Sequence, residues 1–151
     1  MQLNSPEDTF NLSKKIGKLL SNGDIIFLYG EIGVGKTTFV RGLINNLEVW
    51  QGMKETEVLS PTFNIVFDYE IKGLKIMHYD LFRLKNNKDI NELGIFAEET
   101  NSIVLVEWPE LIEKKPQNRI ELFFNYSDNL NERILHIKAY GKWKNYNFET
   151  I

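Results

Sequence analysis

With 151 residues, no cysteine, 18 basic and 21 acidic side chains and a formal charge of −3, the chain has the length of one domain. Disulfides, thiolate metal sites and a cysteine nucleophile are excluded, and four dispersed arginines leave no basic face for direct nucleic-acid binding. No apolar stretch approaches membrane-spanning length and the first eight residues are polar and acidic, so the expectation is a soluble cytoplasmic protein without membrane contact, whose partner chemistry lies on other chains.

The first element starts at Ser5-Pro6-Glu7-Asp8, which supplies a hydroxyl cap, a proline at the first helical position and acids in the first turn. Leu12, Ile16, Leu19 and Leu20 continue it as one apolar stripe that ends near Asn22-Gly23. Asp24 to Tyr29 then reads as a buried parallel strand, short and almost continuously apolar. It runs into Gly30-Glu31-Ile32-Gly33-Val34-Gly35-Lys36-Thr37, a complete G-x-x-x-x-G-K-T phosphate loop, and a helix beginning at about Gly35 carries Phe39, Val40, Leu43, Ile44 and Leu47 at helical spacing.

The chemistry follows from the spelling. Glycines let successive backbone N–H groups turn inward around phosphates, and the helix aims the positive end of its dipole at the same anion. Lys36 adds a mobile positive charge, and the Thr37 hydroxyl is suited to Mg2+. Gly33, Val34, Gly35, Lys36, Thr37 and Thr38 are therefore the expected contacts of a nucleoside triphosphate. A turn that binds nothing would need the strand before it and the helix after it by coincidence.

Glu48 to Glu57 reads as a polar loop, and Ser60-Pro61-Thr62 punctuates the start of the next element. Asn64 to Glu70 and Leu74 to Asp80 form an expected hairpin about Ile71-Lys72-Gly73. Asp89 to Leu93 is a short helix stopped by Gly94, and Ile103-Val104-Leu105-Val106-Glu107 is a second apolar strand ending in one acid. Ile120 to Tyr126 and Arg133 to Ala139 make a second hairpin, and the polar tail beyond Gly141 is expected to be loosely held. These elements predict an α/β protein: a small, single-domain phosphate-loop NTPase fold over residues 1–140 and a tail at 141–151. Its sheet would be mixed and mostly parallel, with antiparallel hairpin additions and helices on both faces.

A phosphate loop needs an acid for Mg2+ or its water shell at the end of a neighbouring strand, and Glu107 fits best. Asp80 is the second metal and catalytic candidate. It would hold metal-bound water or orient the attacking water, or more simply cap the turn at Leu81-Phe82-Arg83. Strand alternation puts His78 on the same face, behind the site. Ser60 and Thr62 lie where segments that sense an outer phosphate sit. Arg83 would neutralise phosphate charge or pair with a surface acid, and Trp108 is a packing residue placed to report nucleotide state to a partner. The Asn-Lys-x-Asp motif for guanine is absent, which favours adenine, with Thr9 and Arg133 as candidates to border the base. Lys36, Asp80 and Glu107 form the expected catalytic set, with ATP/ADP and Mg2+ as cofactors.

The order Gly30 to Thr38, Ser60-Pro61-Thr62-Phe63, His78 to Leu84 (His-x-Asp-Leu-Phe-Arg-Leu), Glu92-Leu93-Gly94 and Val106-Glu107-Trp108-Pro109-Glu110 resembles the TsaE family, the bacterial ATPases of tRNA threonylcarbamoyladenosine synthesis. The resemblance runs from the first helix to the second hairpin. It implies a Mg2+-dependent ATPase, weak alone, that works with the TsaB and TsaD proteins to install threonylcarbamoyl on adenosine 37 of tRNAs reading codons that begin with A. It implies contact with tRNA only through that complex; separately, the chain alone is expected to be a monomer. By the same likeness Lys36 serves phosphate, Thr37 and Glu107 magnesium, Asp80 catalysis, and Trp108 a partner-linked switch. Two positions depart from the family pattern: Phe82 stands for its usual tyrosine and Val34 for a small alanine. A small-molecule kinase and a non-hydrolysing, nucleotide-gated binding module are the competing readings on the same fold.

Overall fold

A computed structural model of the protein describes residues 1–97 and 101–150. Seven strands form one sheet: β1 (Gln2–Leu3), β2 (Ile25–Tyr29), β3 (Val66–Ile71), β4 (Leu74–Asp80), β5 (Ile103–Glu107), β6 (Arg119–Tyr126) and β7 (Arg133–Tyr140). Their spatial order is β1-β7-β6-β2-β5-β4-β3. The four central strands, β6, β2, β5 and β4, are mutually parallel. The flanking pairs β3–β4, β6–β7 and β1–β7 are antiparallel, so both expected hairpins extend a parallel centre.

The central strands are apolar on both sides because helices and turns cover both faces. On one face Ile26, Leu28, Ile76, Ile103, Leu105, Ile120 and Leu122 pack with α1 (Pro6–Gly17) and α2 (Lys36–Trp50). On the other, Ile25, Phe27, Tyr79, Val104 and Val106 pack with Ile90 of α3 (Asn87–Leu93), Ile95 and Ile112. Burying each such side chain contributes about 1.5–3 kcal/mol, so the sheet centre is the most strongly driven part of the fold. The α1 start follows its sequence signal: Ser5 is extended and its Oγ accepts from the Asp8 N–H at 3.1 Å. In the first hairpin, Lys72 and Gly73 both take positive φ (40° and 91°), the two-residue turn that matches strand twist.

Three regions differ from the local pattern. The second helix runs to Trp50, so residues 48–50 are helical where a loop was expected. Glu48 looks polar in sequence, yet its carboxylate is buried, accepting from Thr56 N at 2.9 Å and Asn45 Nδ2 at 3.1 Å. Two residues near the N-terminus form β1 against β7, and the terminal ammonium donates to Leu135 O at 3.0 Å. The tail is not loosely held over 141–150: Trp143 and Phe148 are buried, Trp143 Nε1 donates to Asp24 Oδ1 at 3.2 Å, and Lys142 pairs with Asp24 at 2.6 Å. Ile151 lies outside the described residues. Among the described residues no helix is long and apolar enough to cross a membrane.

Candidate functional site

The site lies at the C-terminal ends of the parallel strands, where β2 leaves the sheet. Gly30 turns there with φ +135°, and a Cβ on it would meet Phe124 O at 2.4 Å. No side chain fits at that point. Gly35 precedes α2 with φ 119°, a left-handed conformation, and the helix has no side-chain cap. The first N–H groups of α2 therefore face the loop unpaired by a side chain, a ready anion site.

The loop is braced from behind. Val34 is buried in the core, Arg133 Nε donates to Val34 O at 3.0 Å, and Tyr126 Oη donates to Ile32 O at 2.9 Å. The Arg133 guanidinium lies 4.4 Å from the Tyr126 ring, so the two braces support each other.

Lys36 is buried and folded back. Its Nζ donates to Gly30 O and to Glu31 O (2.9 Å for the latter) and sits 3.9 Å from the Trp108 ring centroid. Burial pushes the Lys36 pKa below the usual lysine range, against the opposing pull of Glu107, Glu110 and Asp80. Trp108 itself holds a left-handed backbone (φ 57°), which fixes its ring beside the loop.

The acids stand level with each other, because strand register pairs Asp80 of β4 with Glu107 of β5. Thr37 Oγ1 lies 2.9 and 3.0 Å from the two oxygens of Glu107, and His78 Nε2 lies 2.9 Å from Oε1. Asp80 caps the turn, the simpler of its two expected roles: Oδ1 accepts from Phe82 N at 3.0 Å. Oδ2 accepts from Ser60 Oγ at 2.9 Å and Thr62 Oγ1 at 2.7 Å. A cavity of about 320 Å3 joins these groups to Gly33, Gly35, Lys36 and Thr38.

The donor set suits a hard cation. It offers one hydroxyl and two carboxylates, all oxygen, and among the described residues no group of three or more His, Cys, Asp or Glu could hold a metal unaided. Mg2+ takes one or two carboxylates and relies on water and phosphate for the rest, so the residues present fit it.

Most of the residues expected from sequence converge here, and some do not. Thr9 is buried in α1 and does not line the cavity. Arg133 touches the loop backbone rather than the cavity, and Arg83 points to Phe63, with its guanidinium 5.2 Å from that ring. Tyr126 was missed, since nothing local marks a tyrosine that braces a loop 94 residues away. Ile32 and Phe82, both exposed and both lining the cavity, were also missed, although an apolar side chain inside a glycine loop is a usable signal.

Comparison with known proteins points to one family. A family model described as "Threonylcarbamoyl adenosine biosynthesis protein TsaE" matches residues 3–135. The tRNA threonylcarbamoyladenosine biosynthesis protein TsaE of Rickettsia typhi is 36% identical over 137 residues, covering 90% of this chain and 92% of the relative. Its counterpart in Bacillus subtilis is 31% identical over 139 residues, 91% of this chain and 83% of the relative. In Rickettsia conorii the identity is 40% over 111 residues, 74% of this chain; there the match spans 61% of the relative, less than two thirds of its length. The crystal structure of Bacillus subtilis YdiB superposes with a TM-score of 0.75 at 28% identity, covering 95% of this chain and 86% of that one.

Proposed function

The chain belongs to the TsaE family of tRNA threonylcarbamoyladenosine biosynthesis proteins, and from that premise we propose that it is the Mg2+-dependent ATPase of the pathway. The observation that carries the reading is the convergence of Thr37, Glu107 and Asp80 beside an uncapped helix start. The loop N–H groups and Lys36 bind the phosphates of ATP, and Lys36 must leave the Gly30 and Glu31 carbonyls to do so. Thr37, Glu107 and Asp80 hold the metal, which when bound supplies charge stabilisation across the outer phosphates. Asp80, fixed by Ser60 and Thr62, orients the water that attacks the γ-phosphorus as the bond to the bridging oxygen breaks, giving ADP and phosphate.

The product that matters is a change in partners. Ile32 (67% exposed) and Phe82 line the cavity, and Leu59 and Phe63 (81%) are exposed on the segment that carries Ser60 and Thr62, apolar side chains suited to cover by protein rather than by a small acceptor. The proposed partners are TsaB and TsaD, with tRNA met only through them, in the cytoplasm, and the chain alone a monomer. Mixing the chain with TsaB and TsaD should raise ATP turnover well above its own rate. Lys36→Ala and Glu107→Ala should each lower it by about a hundredfold or more. No stimulation with every component folded would sink the reading. Phosphate transfer to a nucleoside or sugar would replace it with a kinase.

A further inference from the structure

We propose that His78 is the positioning residue of the metal site: as the Nε2–H tautomer it occupies Oε1 of Glu107, leaving Oε2 as the oxygen that serves a divalent cation. The inference rests on the site assignment made above. His78 lies in β4 two residues before Asp80, on the same strand face, and is fully buried. Its Nε2 lies 2.9 Å from Glu107 Oε1, and Glu107 is itself buried. Its other nitrogen, Nδ1, is buried and has no hydrogen-bond partner among the described residues.

Those two facts determine the tautomer. A carboxylate oxygen only accepts, so the nitrogen facing it must carry the proton. Placing the proton on Nδ1 instead would set a lone pair against the carboxylate and bury an N–H with nothing to receive it. The Nε2–H form leaves a bare Nδ1, the less costly of the two orphans because an unpaired acceptor loses less than an unpaired N–H beside a repelling contact. A histidine retained at this expense is explained by what it holds. It fixes the plane of the Glu107 carboxylate.

The consequence is stereochemical. Oε1 already receives His78 Nε2 and shares the Thr37 hydroxyl at 2.9 Å, whereas Oε2 has the Thr37 hydroxyl alone at 3.0 Å. The free lone pairs of Glu107 are thus on Oε2, which favours a single-oxygen or water-mediated contact over a bidentate clasp. Supporting groups that orient a metal-binding carboxylate commonly set its affinity tenfold or more.

The tests separate this from the functional reading. In 15N-edited NMR of the intact chain, with His136→Gln removing the second imidazole signal, His78 should show a protonated Nε2 and a bare Nδ1; a proton on Nδ1 overturns the proposal whatever the chain's activity. With Mn2+ as the probe, calorimetric binding in the presence of ADP should weaken about tenfold in His78→Leu. His78→Gln, which keeps an N–H donor, should recover most of the loss at equal thermal stability. Unchanged Mn2+ affinity in a folded His78→Leu overturns the proposal. If the leucine variant fails to fold, the tautomer measurement on the native imidazole still decides. If the unaltered chain binds no Mn2+ with ADP, the functional reading fails while the tautomer result stands on its own.

Discussion

The two banks of the cavity are built by different means. The Gly30–Thr37 bank is buried at Val34, clamped by Arg133 and Tyr126 from β7 and β6, and given one backbone path by a turn that no side chain could share. The Ser60–Phe63 bank hangs on two hydroxyls that reach Asp80 and leaves Leu59 and Phe63 in solvent. It is followed by Ile65 at φ 69°, a left-handed conformation that a β-branched residue adopts only under strain of about 1–3 kcal/mol. One bank is fixed before any ligand arrives; the other is held by contacts that a ligand or partner can exchange. The contrast suits the proposed function, in which phosphate would be bound in a constant way and reported in a variable one.

Substitutions can break or sharpen that contrast. The largest effect is expected at Gly30→Ala, where the new methyl meets Phe124 O at 2.4 Å and Val34 Cγ1 at 2.9 Å; calorimetry should show a loss of about 3 kcal/mol or more. Arg133→Ala releases the Val34 carbonyl and should cost about 1–2 kcal/mol, with weaker ATP binding measured by calorimetric titration and no change in metal preference. The pair Ser60→Ala with Thr62→Val should cost about 1 kcal/mol in denaturant unfolding, because the buried Asp80 loses two donors while keeping the one from Phe82 N. Its turnover should fall roughly tenfold in single-turnover kinetics as Asp80 loses its orientation. The smallest stability effect belongs to Phe63→Ser, within about 0.5 kcal/mol at a side chain 81% exposed, together with a loss of stimulation by TsaB and TsaD. Were Phe63→Ser to destabilise the chain more than Arg133→Ala, the division into a fixed and a responsive bank would be wrong.

Much of this was legible in the chain because its strongest signals are local. Two apolar runs, Ile25 to Tyr29 and Ile103 to Val106, read as buried strands and are, and they lead into the glycine loop and Glu107. The glycine spacing announced the loop, and alternation in β4 put His78 and Asp80 on one face. What was not legible depends on partners far along the chain. Glu48 reads as a loop residue until Thr56 is folded beside it, Arg133 reads as a base contact until Val34 is seen to take its N–H, and the tail reads as loose until Trp143 finds Asp24. Thr9 was a candidate to border the base as part of the N-terminal segment, but it is buried in α1, which packs on α2.

The tail's hold on Asp24 has a consequence for when the protein can fold. Asp24 immediately precedes β2, the sheet's middle strand, and is fully buried, and among the described residues its ion pair is with Lys142. Trp143, its other distant partner, lies 119 residues downstream. At ribosomal speeds of about 5–20 residues per second, that separation is on the order of ten seconds of synthesis during which the Asp24 charge has no counter-ion. Until then the carboxylate has its near neighbour Ser21, whose N–H and hydroxyl donate to Oδ2 at 2.8 and 3.2 Å, and the strand that feeds the glycine loop gains its distant partners last. The support beneath the glycine loop is complete only once Lys142 and Trp143 have been made.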